Sequence, residues 1–217
     1  MGEEETVIVG ERLVLLPERA LFWPRADALV IADPHFGKAA AFRAFGVPVP
    51  EQTTRDNLAR LDAALERTGA ERLVILGDFL HAKRGRSVDL SEMLAAWRST
   101  HAGLPILLVR GNHDDRAGDP PDAWGIECRD EPVDCPPFIW RHEPAASETG
   151  YVLAGHVHPA VSLSGRGGLS ATLPCFYFGR DYGLLPAFGD FTGTAVVRPR
   201  VGEQVYALAD GAVVQIT

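Results

Sequence analysis

Asp33-Pro34-His35, Gly77-Asp78, Gly111-Asn112-His113-Asp114, a lone His142 and Gly155-His156-Val157-His158 are five groups rich in oxygen and nitrogen donors. They contain five of the chain's seven histidines. That concentration is hard to explain by histidines merely satisfied in a core. Two ligands spaced as in Asp33/His35 and His156/His158 can aim at one point beyond a strand end. Some of these residues also have a plainer reading. Asp33-Pro34 can be a turn with His35 on the surface, and Asp114 can be a surface acid. His142 carries weight only because the set needs one more nitrogen. Together they point to two divalent ions around Asp78. Such a pair brings four positive charges, of which Asp33 and Asp78 return two and a bridging hydroxide a third. The imidazoles and the Asn112 amide return none, so the site stays cationic and suits a phosphate oxyanion. Mixed oxygen and imidazole donors fit Mn, Fe or Zn better than an all-oxygen Mg or Ca shell.

The elements that must position these residues are short apolar runs. Leu73–Leu76 runs into Gly77-Asp78, Ala28–Ala32 into Asp33, Ile106–Val109 into Arg110-Gly111-Asn112, Phe138–Trp140 into Arg141-His142, and Tyr151–Ala154 into Gly155-His156. Runs of this length bounded by glycine read as buried strands. In open α/β sheets, ligands gather at the carboxyl ends of such strands. The glycines before Asp78, Asn112 and His156 allow close backbone approach.

Around this frame, Thr6–Val9 and Leu13–Leu16 read as a hairpin at a sheet edge, with Leu21–Trp23 as a third strand. A short helix over Ala39–Phe45 is closed by Gly46 and followed by a loop over 47–50. Thr53 caps a helix over Thr54–Thr68 with Leu58, Leu61 and Leu65 on one face. A further helix is expected over Ser91–Thr100, with Met93, Leu94 and Trp97 turned inward. Residues 115–137 read as an irregular connection. Strands are expected over 160–163, 175–178, 194–197, 204–208 and 212–216, and Leu184–Gly189 as a wall beside the site. Lys38 is either a surface charge or a phosphate contact. His81 either lines the pocket or caps its loop. The basic stretch Lys83, Arg84 and Arg86 is a solvated face or a contact for an anionic substrate.

The 217 residues suit one core-bearing domain over 1–217. With 46% hydrophobic and 23% charged residues, the chain is neither disordered nor fibrous. A net charge of -8 argues against an extended basic surface for nucleic acid. Three cysteines with no CxxC pair fit reduced thiols in a cytoplasm. No apolar run approaches the roughly 18 residues of a spanning helix. The first residues lack a signal-peptide pattern, and their loose myristoylation match stands beside three glutamates.

The five groups, in this order, resemble the motifs of calcineurin-like metallophosphoesterases. The resemblance implies an α/β fold, a four-layer α/β/β/α sandwich with two central mixed β-sheets. It also implies that Asp33, His35, Asp78 and His158 hold one metal and that Asp78, Asn112, His142 and His156 hold the other. His113 would protonate the leaving oxygen or stabilise the phosphoryl group, Asn112 would stabilise developing charge, and Asp114 would orient His113 through a hydrogen bond. Asp33–Lys38, Arg141–Pro144, and Leu185–Gly189 followed by Phe191–Gly193 are further similar to the bacterial ligase-associated metallophosphoesterases, described as DNA damage response endonucleases. That group implies manganese, a phosphodiester substrate such as DNA, and a DNA ligase, a helicase and an exonuclease-like protein as partners. The expected reaction is in-line attack of a metal-held hydroxide on phosphorus. A phosphomonoesterase or nucleotide phosphatase of the same superfamily is the alternative. A non-catalytic metal-binding scaffold for a protein partner is another. The oligomeric state is left open.

Overall fold

The structure is a computed structural model that describes residues 2–44, 46–47, 53–83, 87–165 and 170–217. Sheet I has seven strands in sequence order: β1 (Glu4–Ile8), β2 (Glu11–Leu16), β3 (Ala20–Trp23), β4 (Ala28–Ala32), β5 (Arg72–Leu76), β6 (Ile106–Val109) and β7 (Ile126–Arg129). The first four are antiparallel neighbours, and β4 to β7 are parallel. Parallel strands need crossovers. The helices α1 (Lys38–Ala44) and α2 (Thr53–Thr68) lie between β4 and β5, and α3 (Val88–Thr100) between β5 and β6. A short α4 (Asn112–Ala117) follows β6.

Side chains alternate between two apolar layers with the period of two that a strand imposes. Leu29, Ile31, Leu73, Ile75, Ile106 and Leu108 face the helices, where they meet Leu58, Leu61 and Leu65 of α2 and Leu90 and Leu94 of α3. Val30, Ala32, Val74, Leu76 and Val109 face the opposite way. There they pack on sheet II, which comprises β8 (Val133–Cys135), β9 (Phe138–Trp140), β10 (Tyr151–Ala154), β11 (Pro159–Ser164), β12 (Ser170–Phe178), β13 (Tyr182–Leu184), β14 (Ala195–Val196), β15 (Gln204–Ala209) and β16 (Ala212–Gln215). Its order is β14-β11-β12-β13-β10-β9-β8, with β15 on β12 and β16 on β15. Phe138, Trp140 and Phe176 of sheet II are almost fully buried in the layer between the sheets. At about 1.5–3 kcal/mol for each fully buried large side chain, this layer dominates the attraction between them.

The sandwich of two mixed sheets is present. Among the described residues every α-helix lies before residue 118, and α2 and α3 contribute to the apolar layer on the outer face of sheet I. On the outer face of sheet II, Ile139, Val152, Cys175 and Val205 are covered by Leu163, Leu173 and Val197 from the same half of the chain.

Several details differ from the sequence reading. Helix α3 begins at Val88 rather than Ser91, because the Ser87 side chain accepts the Leu90 N–H at 3.1 Å and caps it. The stretch read as irregular over 115–137 contains the end of α4 and the strands β7 and β8. A strand at 182–184 was not expected. The strands expected at 194–197 and 212–216 are shorter, and that at 175–178 starts at Ser170. Phe45, Pro48 and Pro50, from the expected helix end and loop, lie outside the described residues.

Candidate metal centre

Each proposed ligand follows directly on a strand of the frame. Asp33 and His35 follow β4, Asp78 follows β5, Asn112 follows β6, His142 follows β9, and His156 and His158 follow β10. The backbone turns sharply at these points. Asp33, His35, Asp78, His156 and His158 have φ of 52°, 46°, 52°, 64° and 51°. A left-handed L-residue costs about 1–2 kcal/mol, so five in one place is stored strain that the surroundings must hold. The holding bonds are visible. His35 N–H donates to Asp78 O at 2.8 Å and Phe36 N–H to Phe79 O at 2.9 Å. His156 N–H donates to Asp33 Oδ2 at 2.8 Å, and His113 N–H to Asp78 Oδ1 at 2.9 Å.

The donor atoms form three overlapping groups. Asp33, His35 and His158 make one, Asp33, Asp78 and His142 another, and His35 with His81 and His113 a third. Asp78 faces both sides. Its Oδ2 lies 3.6 Å from His35 Nε2, and its Oδ1 lies 3.6 Å from His142 Nε2. Around His142 Nε2, Asn112 Oδ1 and His156 Nδ1 each stand at 3.0 Å. The other ring nitrogen of His142 is 3.3 Å from Leu76 O, an acceptor that favours a proton there. Nε2 then presents a lone pair toward Asn112 Oδ1, with His156 Nδ1 beside it.

These residues fit a metal pair. Asp33, Asp78, His35 and His142 are all at most 4% exposed. Asp33 Oδ1 and both ring nitrogens of His35 are buried without a hydrogen-bond partner. Buried polar atoms left unmatched are costly, and a cation would satisfy Asp33 Oδ1 together with one ring nitrogen of His35. Burial pushes the Asp78 carboxyl up, against the opposing pull of His142 and the His113 N–H. Burial, with Lys38 nearby, pushes His35 far down. For His158 burial lowers the pKa, but hydrogen bonding and charge from Asp33 outweigh it, so the net shift is upward. The expected glycines also matter geometrically. A Cβ on Gly77 would strike the His142 ring, on Gly111 the Asp78 carboxylate, and on Gly155 the Asp33 carboxylate.

His113 Nδ1 lies 2.7 Å from His81 O, and its ring stacks on His81 with centroids 4.8 Å apart. His81 thus lines the pocket, which the sequence left open. Asp114 is buried, but it does not hydrogen-bond the His113 ring. Its oxygens accept the N–H of Gly111 at 3.0 Å and of Leu80 at 3.2 Å. It therefore ties the loop after β5 to the turn that carries Asn112 and His113. Lys38 opens α1 half-buried, within the electrostatic reach of Asp78 and Asp33; burial is the larger influence and lowers its pKa. Lys83 is exposed, and Arg84 and Arg86 lie outside the described residues.

Sequence reasoning missed Glu131. One of its oxygens accepts the backbone N–H of His142 at 2.7 Å and of Glu143 at 3.0 Å, and the other accepts from Arg141 at 3.1 Å. A carboxylate acting on backbone groups of a distant strand leaves no spacing signal. Glu131→Ala should lower metal affinity about 10- to 100-fold, the usual cost of losing support behind a ligand. Metal titration followed by calorimetry would check it.

The segment after β13 forms the expected wall and also joins the two sheets. Leu185 N–H donates to Ala154 O of sheet II at 2.9 Å, and Phe188 N–H to Ala32 O of sheet I at 2.7 Å. Arg60 of α2 secures it by donating to Phe188 O at 2.7 Å and to Asp190 at 2.9 and 3.1 Å. Discounted for partial exposure, these charge-assisted bonds are worth about 1–2 kcal/mol. Arg60→Ala should therefore lower Tm by about 2–8 °C, measurable by calorimetry.

Residues 27–174 match the family model described as calcineurin-like phosphoesterase. The chain is similar to the crystal structure of Pseudomonas putida nuclease MPE, with 41% identity, 99% of this chain and 100% of that chain covered, and a TM-score of 0.85. A weaker similarity is to Yfce, a phosphoesterase from E. coli, with 14% identity, 87% and 97% coverage and a TM-score of 0.43. A comparison with curated proteins finds no match. Among the described residues no helix is long and apolar enough to cross a membrane.

Proposed function

The chain belongs to the calcineurin-like phosphoesterase family, and from that premise we propose that it is a two-metal phosphodiesterase that cuts DNA. Asp33, His35, Asp78 and His158 would hold one ion, and Asp78, Asn112, His142 and His156 the other, with manganese the working metal. The observation that favours a nuclease over other hydrolases of the family is the whole-length similarity to a nuclease at 41% identity. The ligand set itself reads the phosphoryl group and not its substituents. A role in DNA repair beside a ligase, a helicase and an exonuclease-like protein is what the sequence resemblance adds. Its free cysteines suit a reducing cytoplasm.

When bound, the ions supply an acidified water and positive charge against the phosphate. The chain's own residues do the rest. The Asn112 amide steadies charge that develops on phosphate oxygens. The Nδ1–H of His113 donates a hydrogen bond to the His81 carbonyl oxygen at 2.7 Å. That leaves Nε2 to carry the proton given to the departing oxygen. Asp114 fixes the turn beneath both residues. Lys38 adds positive charge within reach of Asp78 and Asp33.

The manganese-loaded protein should hydrolyse a chromogenic phosphodiester faster than the matching monoester. His113→Ala should retain its metal and lose most turnover on esters with poor leaving groups. Monoester preference would move the assignment to a phosphatase of the same family. Equal losses on good and poor leaving groups would remove the acid role of His113.

A further inference from the structure

Phe191 is a large aromatic residue that is 52% exposed, and its φ is 58°. A bulky side chain in the left-handed region is a genuine outlier. The turn that imposes it is clamped on both sides. Before it, Asp190 accepts from Arg19 at 3.0 Å and from Arg60 at 2.9 and 3.1 Å. After it, the Gly193 carbonyl lies 2.9 Å from Nδ1 of His158, and Ala195 N–H donates to His158 O at 3.0 Å. The second clamp is thus a proposed metal ligand. Between Phe191 and His158 lies a depression of about 100 Å³, walled by Pro159, Pro174, Ala187 and Thr192. Apolar and polar groups share its walls, with Arg19, Asp190 and Thr194 among the polar ones, which suits a planar base with hydrogen-bonding edges.

We infer that Phe191 and this depression form a subsite for the nucleobase next to the scissile phosphodiester, with the base lying against the phenyl face. The inference rests on the nuclease reading above. Charge makes such a subsite useful. The chain carries a net charge of -8, so a broad electrostatic hold on a polyphosphate backbone is weak. Stacking on an aromatic face is tolerant of sequence and needs no net positive charge. Anchoring the turn through His158 places the platform in fixed register with the reacting centre. The strained backbone is then the cost of presenting an aromatic ring outward at that spot.

The test uses the manganese-loaded protein, an oligothymidylate, and a phosphodiester oligomer of equal length with abasic residues. The unaltered protein should prefer the base-bearing oligomer in kcat/KM. Phe191→Ala and Phe191→Leu should lower that preference about 5- to 100-fold, the loss of one base–aromatic stack, and Phe191→Trp should keep it. Phe191→Gly should also lose the preference while its Tm is unchanged or higher, because glycine relieves the left-handed strain. An unchanged preference in Phe191→Ala, no preference in the unaltered protein, or full retention by Phe191→Leu would overturn the subsite alone. Failure of the unaltered protein to cut either oligomer while it hydrolyses a chromogenic diester would remove the DNA reading and the subsite together.

Discussion

Asp78→Asn should fold normally by circular dichroism, bind fewer than two ions, and lose at least about 100-fold in diester turnover. Loss of a supporting group behind a ligand already costs about 10- to 100-fold in affinity or activity, and Asp78 is proposed to serve both metals directly. Its two oxygens point to opposite groups, one 3.6 Å from His35 and the other 3.6 Å from His142. An amide keeps one acceptor for the His113 N–H, now at 2.9 Å, but supplies no charge. The stability effect should change sign with metal. Burial raises the Asp78 carboxyl pKa in the metal-free fold. Folding then favours the protonated form, so ionising Asp78 as pH rises above the unfolded carboxyl value costs stability. Near neutral pH the metal-free variant should melt no lower than the metal-free parent, whereas with saturating manganese it should melt lower. Retention of both ions and parental turnover would overturn the bridging assignment.

Gly77→Ala is the second large effect, and it comes from a single methyl group. Gly77 has a φ of 80°, and an added Cβ would land on the His142 imidazole. That ring cannot swing aside freely. It is 1% exposed and hemmed by Leu76, Asn112 and His156. The backbone strain alone costs about 1–3 kcal/mol, a fall in Tm of about 2–12 °C for a chain of this size. Displacing His142 should also remove one bound ion, which metal analysis would reveal. Gly103→Ala is the control, because nothing lies within 4 Å of a Cβ there. It should stay within about 0.5 kcal/mol of the parent. Equal behaviour of the two variants would show that the close approach at Gly77 is not needed.

The donors were legible in the sequence because β4, β5, β6, β9 and β10 are buried on both faces. A strand with no solvent face reads as an unbroken apolar run, and the residue that ends the run is easy to see. Strand β7 was missed for the opposite reason. Ile126-Glu127-Cys128-Arg129 alternates partly buried and exposed residues between Pro- and Asp-rich turns, so it resembles a loop. Strand β13 is three residues long with Gly183 at its middle. Glu131 meets His142 and Glu143, and Asp114 meets Gly111 and Leu80, through backbone N–H groups, so residue type alone could not disclose those contacts. Asp114 stood in the right motif with a different hydrogen bond expected. Sequence spacing gives proximity along a turn, but the direction of a carboxylate is set by which N–H groups are left over nearby.

The donors are divided between the two sheets: Asp33, His35, Asp78 and Asn112 follow strands of sheet I, and His142, His156 and His158 follow strands of sheet II. Ions held there would act as non-covalent cross-links between halves of the chain that already meet through a side-chain layer, the wall segment and bonds such as Val213 N–H to Gly2 O at 2.7 Å. Opening of the sandwich and release of metal then become one event. The amides of β9 and β10 should exchange with solvent more slowly as metal occupancy rises, although neither strand lies on the sheet that supplies the bridging carboxylate. Mechanical coupling of this kind makes the reaction centre a gauge of how firmly the two halves are docked.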